Sequence, residues 1–168
     1  MNTFLRRIGR WFGVLVTSSA MLYGVAAHAQ SDPAKVKLIE QDAASWSHNM
    51  DQLLAGYTDD VIYEDVPMGL VLHGKEELRA FAQGFFNGFP DLKAVITTRV
   101  VDGNRGASEW LFTGTQAGDM PNIPASNKKM DLRGASLYEF EGGKIKHKID
   151  FWDLGTLLRQ LGVMSAKQ

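Results

Sequence analysis

The segment Leu137-Tyr138-Glu139-Phe140-Glu141-Gly142-Gly143-Lys144-Ile145-Lys146-His147-Lys148-Ile149-Asp150-Phe151-Trp152-Asp153 decides the fold. One β-rich run reaches the turn Glu141-Gly142-Gly143-Lys144, a second returns to Trp152, and a short helix follows, ending Leu158-Arg159-Gln160-Leu161-Gly162. Two such runs around a glycine pair predict a hairpin. With Phe140 opposite Ile145, regular alternation fixes the remaining pairs. One face then carries Ser136, Tyr138, Phe140, Ile145, His147 and Ile149; the other carries Leu137, Glu139, Lys146, Lys148, Asp150 and Trp152. Glu139 would face Lys146, and opposed charges mark the wetter side of a sheet. Tyr138 and His147 are therefore expected to look inward, with Asp150 on the other face.

Outward from this hairpin the sequence reads as helices, one strand, a helix, then antiparallel strands. Ser31-Asp32-Pro33 is a helix-start signal, and Val36, Ile39, Ala43 and Trp46 recur on one helical face. Met50, Leu53, Leu54 and Tyr57 repeat that pattern after a break at Ser47-His48-Asn49, and Thr58-Asp59-Asp60 ends the helical pair. Val61 to Val66 predicts a strand stopped by Pro67-Met68-Gly69. A third helix follows Gly74 with Leu78, Phe81 and Phe85 inward, broken at Gly88-Phe89-Pro90-Asp91. Strands are expected at Ala94–Val101 and Ser108–Thr115, joined by Asp102-Gly103-Asn104-Arg105-Gly106. Gln116 to Lys129 is a long polar loop, and loops of that length inside a compact domain are commonly functional, here a pocket lid. This order predicts an α+β, cone-shaped domain: a strongly curved, mostly antiparallel sheet with N-terminal helices on its concave face and a cavity at the open end.

The chain begins with Arg6, Arg7 and Arg10, continues with an apolar run from Trp11 to Val25, and then reads Ala27-His28-Ala29. Basic, apolar and small-x-small segments in that order predict a secretory signal peptide over residues 1–29, cleaved near Ala29. The apolar run falls short of the ~20 residues that a membrane span needs, so no span is expected in the mature chain. Arg6-Arg7 also hints at a twin-arginine signal, although ordinary secretion fits the following residues better. The expected location is periplasmic or secreted. Residues 30–168 suffice for a single domain with its own core. That domain holds 15 of the 18 Lys and Arg and all 19 Asp and Glu, a mildly acidic balance without the basic footprint of a nucleic-acid or anionic-membrane binder. No cysteine is present, which excludes disulfides, thiolate nucleophiles and a lipoprotein anchor.

Several stretches now align with one pattern. Tyr57-Thr58-Asp59-Asp60-Val61, Gly74-Lys75-Glu76, Phe89-Pro90-Asp91-Leu92, Asp102-Gly103-Asn104, Thr113-Gly114-Thr115, Glu141-Gly142-Gly143-Lys144-Ile145, and Asp153 with Arg159-Gln160-Leu161-Gly162 together resemble the SnoaL-like polyketide cyclase (ester cyclase) family of the nuclear-transport-factor-2-like superfamily. The resemblance implies a deep apolar pocket between bent sheet and helices, commonly in a homodimer. It further implies aldol cyclisation by an acidic general acid/base, with no metal or organic cofactor. The catalytic aspartate of such cyclases lies in the last strand, and Asp150 matches it best. The regular ladder sets Asp150 on the face of the sheet away from His147, and a β-bulge near Ile149 would re-aim it. Asp153 suits the N-cap of the closing helix better.

Glu64-Asp65-Val66-Pro67-Met68-Gly69 is similar, more loosely, to the strand carrying the general base of ketosteroid isomerase, which would be Asp65. The tyrosine and protonated acid of that family's oxyanion hole have no counterparts near Gln41 and Ser136, so ordinary isomerase activity is not expected. Asp65 shares a strand face with Tyr63, and a carboxyl in an apolar pocket rises toward the range useful for proton transfer. His147 could act as acid or base beside Tyr138, as imidazole side chains commonly do. Asp65, His147 and Asp150 are thus the candidate catalytic residues, with Tyr63, Trp46, Trp110 and Tyr138 as ligand-binding candidates. His48, His73 and His147 lack metal-ligand spacing, and no Gly-x-Ser-x-Gly, Gly-x-Gly-x-x-Gly or phosphate loop occurs. The expected function is cofactor-independent acid/base chemistry on a small hydrophobic carbonyl compound. The alternative is a non-catalytic periplasmic protein that binds a hydrophobic ligand.

Overall fold

A computed structural model describes residues 32–120 and 123–165. The expected signal peptide lies outside the described residues. Helices α1 (Pro33–Ser45) and α2 (Met50–Ala55) lead into strands β1 (Tyr57–Asp65) and β2 (Leu70–His73), followed by helix α3 (Gly74–Gly88). Strands β3 (Lys93–Asp102), β4 (Arg105–Thr115), β5 (Lys129–Glu141) and β6 (Lys144–Trp152) precede the closing helix α4 (Leu154–Leu161). The six strands form one open sheet in the order β2-β1-β6-β5-β4-β3. Every neighbouring pair is antiparallel except β1 with β6. The domain is α+β, as the element order predicts, and no described helix is long and apolar enough to cross a membrane.

Local chemistry sets the helix ends. Asp32 caps α1 by accepting from the Ala34 amide, Asn49 caps α2 through Gln52, and Asp153 caps α4 through Thr156. Gly162 closes α4 in the left-handed conformation that glycine adopts without a Cβ clash. The helices cover one face of the sheet, where Ile39, Trp46, Leu53, Leu78, Phe89 and Ile145 are buried. On the uncovered face Val95, Val100, Leu111, Leu137 and Phe151 stay exposed.

Strand β4 starts at Arg105, three residues before the expected Ser108, and two further differences shape the first hairpin. Strand β1 begins at Tyr57, four residues early, because α2 ends at Ala55 and the Ile145 amide bonds the Gly56 carbonyl at 2.9 Å. The turn at Pro67-Met68-Gly69 does not end the sheet. Asp65 Oδ1 accepts from the Met68 amide and Gly69 takes φ +65°, which folds the chain into a hairpin with the unanticipated β2.

The decisive difference lies in the last hairpin. Phe140 does face Ile145, but the next pair is Glu139 with His147, so Lys146 and His147 together oppose one residue. Lys146 is an added residue, a β-bulge, and its ammonium pairs with Asp60 of β1 instead of Glu139. Beyond it the two faces are exchanged relative to a regular ladder. Tyr138 pairs with Lys148 and Ser136 with Asp150, all four buried, whereas His147 lies on the uncovered face beside Glu64 at 2.6 Å. The expected inward orientation of His147 is thereby overturned. The re-aiming of Asp150 comes from a bulge three residues before the position considered in the sequence.

Candidate active site

Asp150 projects from β6 into the space under the helices and is only 6 % exposed. Its register partner on the neighbouring parallel strand is Asp65, 2 % exposed, so the pairing of β1 with β6 sets two carboxyls side by side. Both line a cleft with Trp46 at the C-cap of α1, Tyr63 of β1, Phe81 and Phe85 of α3, Trp110 and Phe112 of β4, and Trp152 of β6. The aromatic rings fill most of it. The free space is about 20 Å³, room for about one water.

Asp150 is held from several sides. Ser136 donates to its Oδ1 at 2.5 Å, the Tyr63 hydroxyl donates to its Oδ2, and Lys148 Nζ lies 3.6 Å from Oδ2. Ser136 in turn accepts from the Trp110 indole at 2.9 Å. That indole lies against Gly134, where a Cβ would fall 2.2 Å from Trp110 Cη2. Asp65 accepts from the Met68 amide and the Trp152 indole, both at 3.0 Å. Burial pushes the Asp65 carboxyl up to about 6, against the pull of these two donors. Burial also raises Asp150, opposed by Lys148, Ser136 and Tyr63. Two neighbouring acids with raised affinity for protons, facing one hydrophobic cleft, can take a proton from one atom of a bound molecule and give one to another.

Below the carboxyls lies a buried polar layer. Lys148 Nζ donates to Asp42 Oδ2 at 2.8 Å, and the Tyr57 hydroxyl donates to Asp42 Oδ1 at 2.6 Å. The ammonium also lies 5.4 to 5.6 Å from the ring centres of Tyr63, Trp46 and Tyr138.

Of the residues singled out in the sequence, Asp65, Asp150, Tyr63, Trp46 and Trp110 come together around the cleft. Tyr138 sits beneath it, its hydroxyl 3.0 Å from Ser108. His147 lines a separate groove on the uncovered face with Arg105, Leu137, Glu139 and Ile149. Lys148, Asp42 and Ser136 escaped the sequence reading. A signal existed for Asp42, which falls at helical spacing between Ile39 and Trp46 on the buried stripe of α1. Lys148 carried none, because the bulge hides which way it points.

A family model described as SnoaL-like polyketide cyclase matches residues 37–161. Among solved structures, a protein from Jannaschia sp. CCS1 described as a SnoaL-like polyketide cyclase is similar, with a TM-score of 0.73 at 19 % identity, over 82 % of this chain and 97 % of that one. TsrD from Streptomyces laurentii gives 0.71 at 24 % identity, over 80 % and 99 %. A protein of ketosteroid-isomerase-like fold from Catenulispora acidiphila DSM 44928, solved with trimethylamine, gives 0.64 at 20 % identity, over 75 % and 92 %. At these identities the likeness is one of fold. No curated protein matches the sequence.

Proposed function

The chain belongs to the SnoaL-like polyketide cyclase family, and from that premise we propose that it is an acid/base enzyme acting on a small hydrophobic carbonyl compound. The observation that carries the reading is the register pairing of Asp65 with Asp150, two desolvated carboxyls on one aromatic-walled cleft. In this reading one carboxylate removes a proton from carbon next to the ligand's carbonyl. The other, protonated, donates to the oxygen on which the enolate charge develops. Protonation of the enolate elsewhere gives an isomer. Its attack on a second carbonyl of the same molecule forms a carbon–carbon bond as the proton on the enol oxygen returns to the acid, and the new alkoxide takes the proton held by the base, restoring both carboxyls. Neither path consumes a redox equivalent. The free space requires lining side chains to move on binding, and Phe81, Phe112 and Trp152 are the half-buried ones among the aromatic walls.

We further propose that the chain is exported, on the leader pattern of residues 1–29, and that it pairs with a second copy through the uncovered sheet face. Support for the pairing is the row of exposed apolar side chains Val95, Leu111, Leu137 and Phe151. Sedimentation of a Leu137→Asp variant, expected to be monomeric beside a dimeric wild type, tests it.

The catalytic reading is tested by deuterium exchange into activated ketones and β-ketoesters. Wild-type protein is expected to accelerate exchange, and an Asp65→Asn/Asp150→Asn double variant to lose the effect. Equal rates refute it. A second reading, a non-catalytic binder of hydrophobic ligands, is favoured by the aromatic filling of the cleft. It predicts ligand-induced tryptophan fluorescence changes without exchange.

A further inference from the structure

Asp150 is surrounded by hydrogens. Ser136 Oγ already accepts the Trp110 N–H, so its own hydrogen is committed to Asp150 Oδ1, and Tyr63 commits its hydrogen to Oδ2. The groups facing Asp150 are Tyr63 and Asp65 from β1, Ser136 and Tyr138 from β5, Lys148 from its own strand and Asp42 from α1. Among them Lys148 alone is a cation. Asp65 has two N–H donors and, among the described residues, no ammonium within salt-bridge distance.

Lys148 is itself fixed. Asp42 holds its Nζ at 2.8 Å, the Tyr57 hydroxyl occupies the other Asp42 oxygen, and three aromatic rings surround the ammonium. Burial works against that charge, and the carboxylates of Asp150 and Asp42 reverse the effect, leaving the lysine well above its ordinary value. One ammonium thus serves two buried carboxylates, closer to Asp42 than to Asp150.

We propose that Lys148 is a positioning residue that divides the proton-carrying work: gripped by Asp42, it keeps Asp150 as the carboxylate that accepts a proton and leaves Asp65 as the acid that donates one. This rests on the reading of Asp65 and Asp150 as the proton carriers. Asp42 acts as a brake on the arrangement, since it draws the ammonium away from Asp150.

The two partners therefore have opposite effects. Titrating the Asp150 carboxyl by carbon-13 NMR, Lys148→Met is expected to raise its midpoint by about 1–3 pH units, the usual influence of an adjacent opposite charge. Asp42→Asn, which leaves Lys148 to Asp150 alone, is expected to lower it. The ionisation of the base in the pH profile of deuterium exchange is expected to move the same way in each variant. A purely structural role would weaken both variants without moving the midpoint in opposite directions. Midpoints that stay fixed, or move in the same direction, overturn the proposal. If Lys148→Met does not fold, Lys148→Gln takes its place: a midpoint that stays fixed or falls is the refuting result, since loss of the Asp42 charge would by itself lower that of Asp150. Because titration needs no substrate, opposite shifts together with unimpaired exchange in Asp150→Asn would reject the catalytic reading while leaving the electrostatic one standing.

Discussion

Replacing Gly134 by alanine tests how the cleft is braced. The added Cβ would lie 2.2 Å from both Cη2 and Cζ2 of Trp110 and 2.8 Å from Cε2, contacts that real structures do not hold. Restoring an ordinary separation moves the indole by more than 1 Å. That movement strains the Trp110–Ser136 hydrogen bond of 2.9 Å and crowds Phe112, whose ring centre lies 4.6 Å away. Overpacking of this kind costs about 1–3 kcal/mol. A lost buried hydrogen bond adds about 0.5–1.5 kcal/mol. Removing a glycine from a strand offsets about 0.5–1 kcal/mol. The net expectation is a loss of about 0.5–4 kcal/mol, read from urea unfolding midpoints. A Trp110→Phe background lacks the two ring atoms that the new methyl meets at 2.2 Å, so there the same replacement should cost much less. A double-mutant cycle over the two positions is expected to show a coupling of about 1–3 kcal/mol. Additive losses would refute the packing argument.

Asp65→Asn should change the pH dependence of stability. The folded Asp65 carboxyl titrates near 6 against 3.8 unfolded, so the native state binds the extra proton and wild type loses stability as pH rises between those values. The variant is expected to gain on wild type over that window by at most about 3 kcal/mol, less where solvent at the mouth screens the charge; melts at pH 4 and pH 8 check the sign, and a relative gain at the acid end would contradict it. His147→Gln should leave both the rate of deuterium exchange and its pH profile unchanged, since His147 pairs with Glu64 on the opposite face of the sheet. Deleting Lys146 removes the bulge but retains the pairs from Glu139 with His147 onward, so the variant should fold with a loss of about 0–1 kcal/mol for its ion pair with Asp60. An Asp150 that titrates like an exposed carboxyl in that variant would refute the register.

Much of the fold was legible because its signals are local. The caps at Asp32 and Asp153, the break after Trp46, the glycines at 103, 142 and 162 and the stripe of Leu78 and Phe85 each report on a few neighbouring residues. The short β2 was not legible, since four residues after a proline carry too little pattern to separate a strand from a loop. For the site, Asp65 could be found from its own strand, whose inward face it shares with Tyr63. His147 and Asp150 could not both be oriented correctly by alternation, because alternation assumes that no residue is inserted and Lys146 is one. Lys148 was out of reach for the same reason: a lysine between polar and apolar neighbours reads as solvent-facing until tertiary contacts with Asp42 show otherwise.

That inserted residue changes how the strand has to be aligned with its relatives. Numbering forward from the glycine turn yields the wrong parity for every side chain past position 146, whereas numbering backward from the helix cap at Asp153 reaches the interior carboxylate three places earlier. A relative lacking the insertion would carry its equivalent acid one step nearer the turn while keeping the same distance to the cap. A gap placed to match the turn would then pair an interior acid with a surface residue, and apparent loss of the acid in such a comparison would be an artefact of counting from the wrong end.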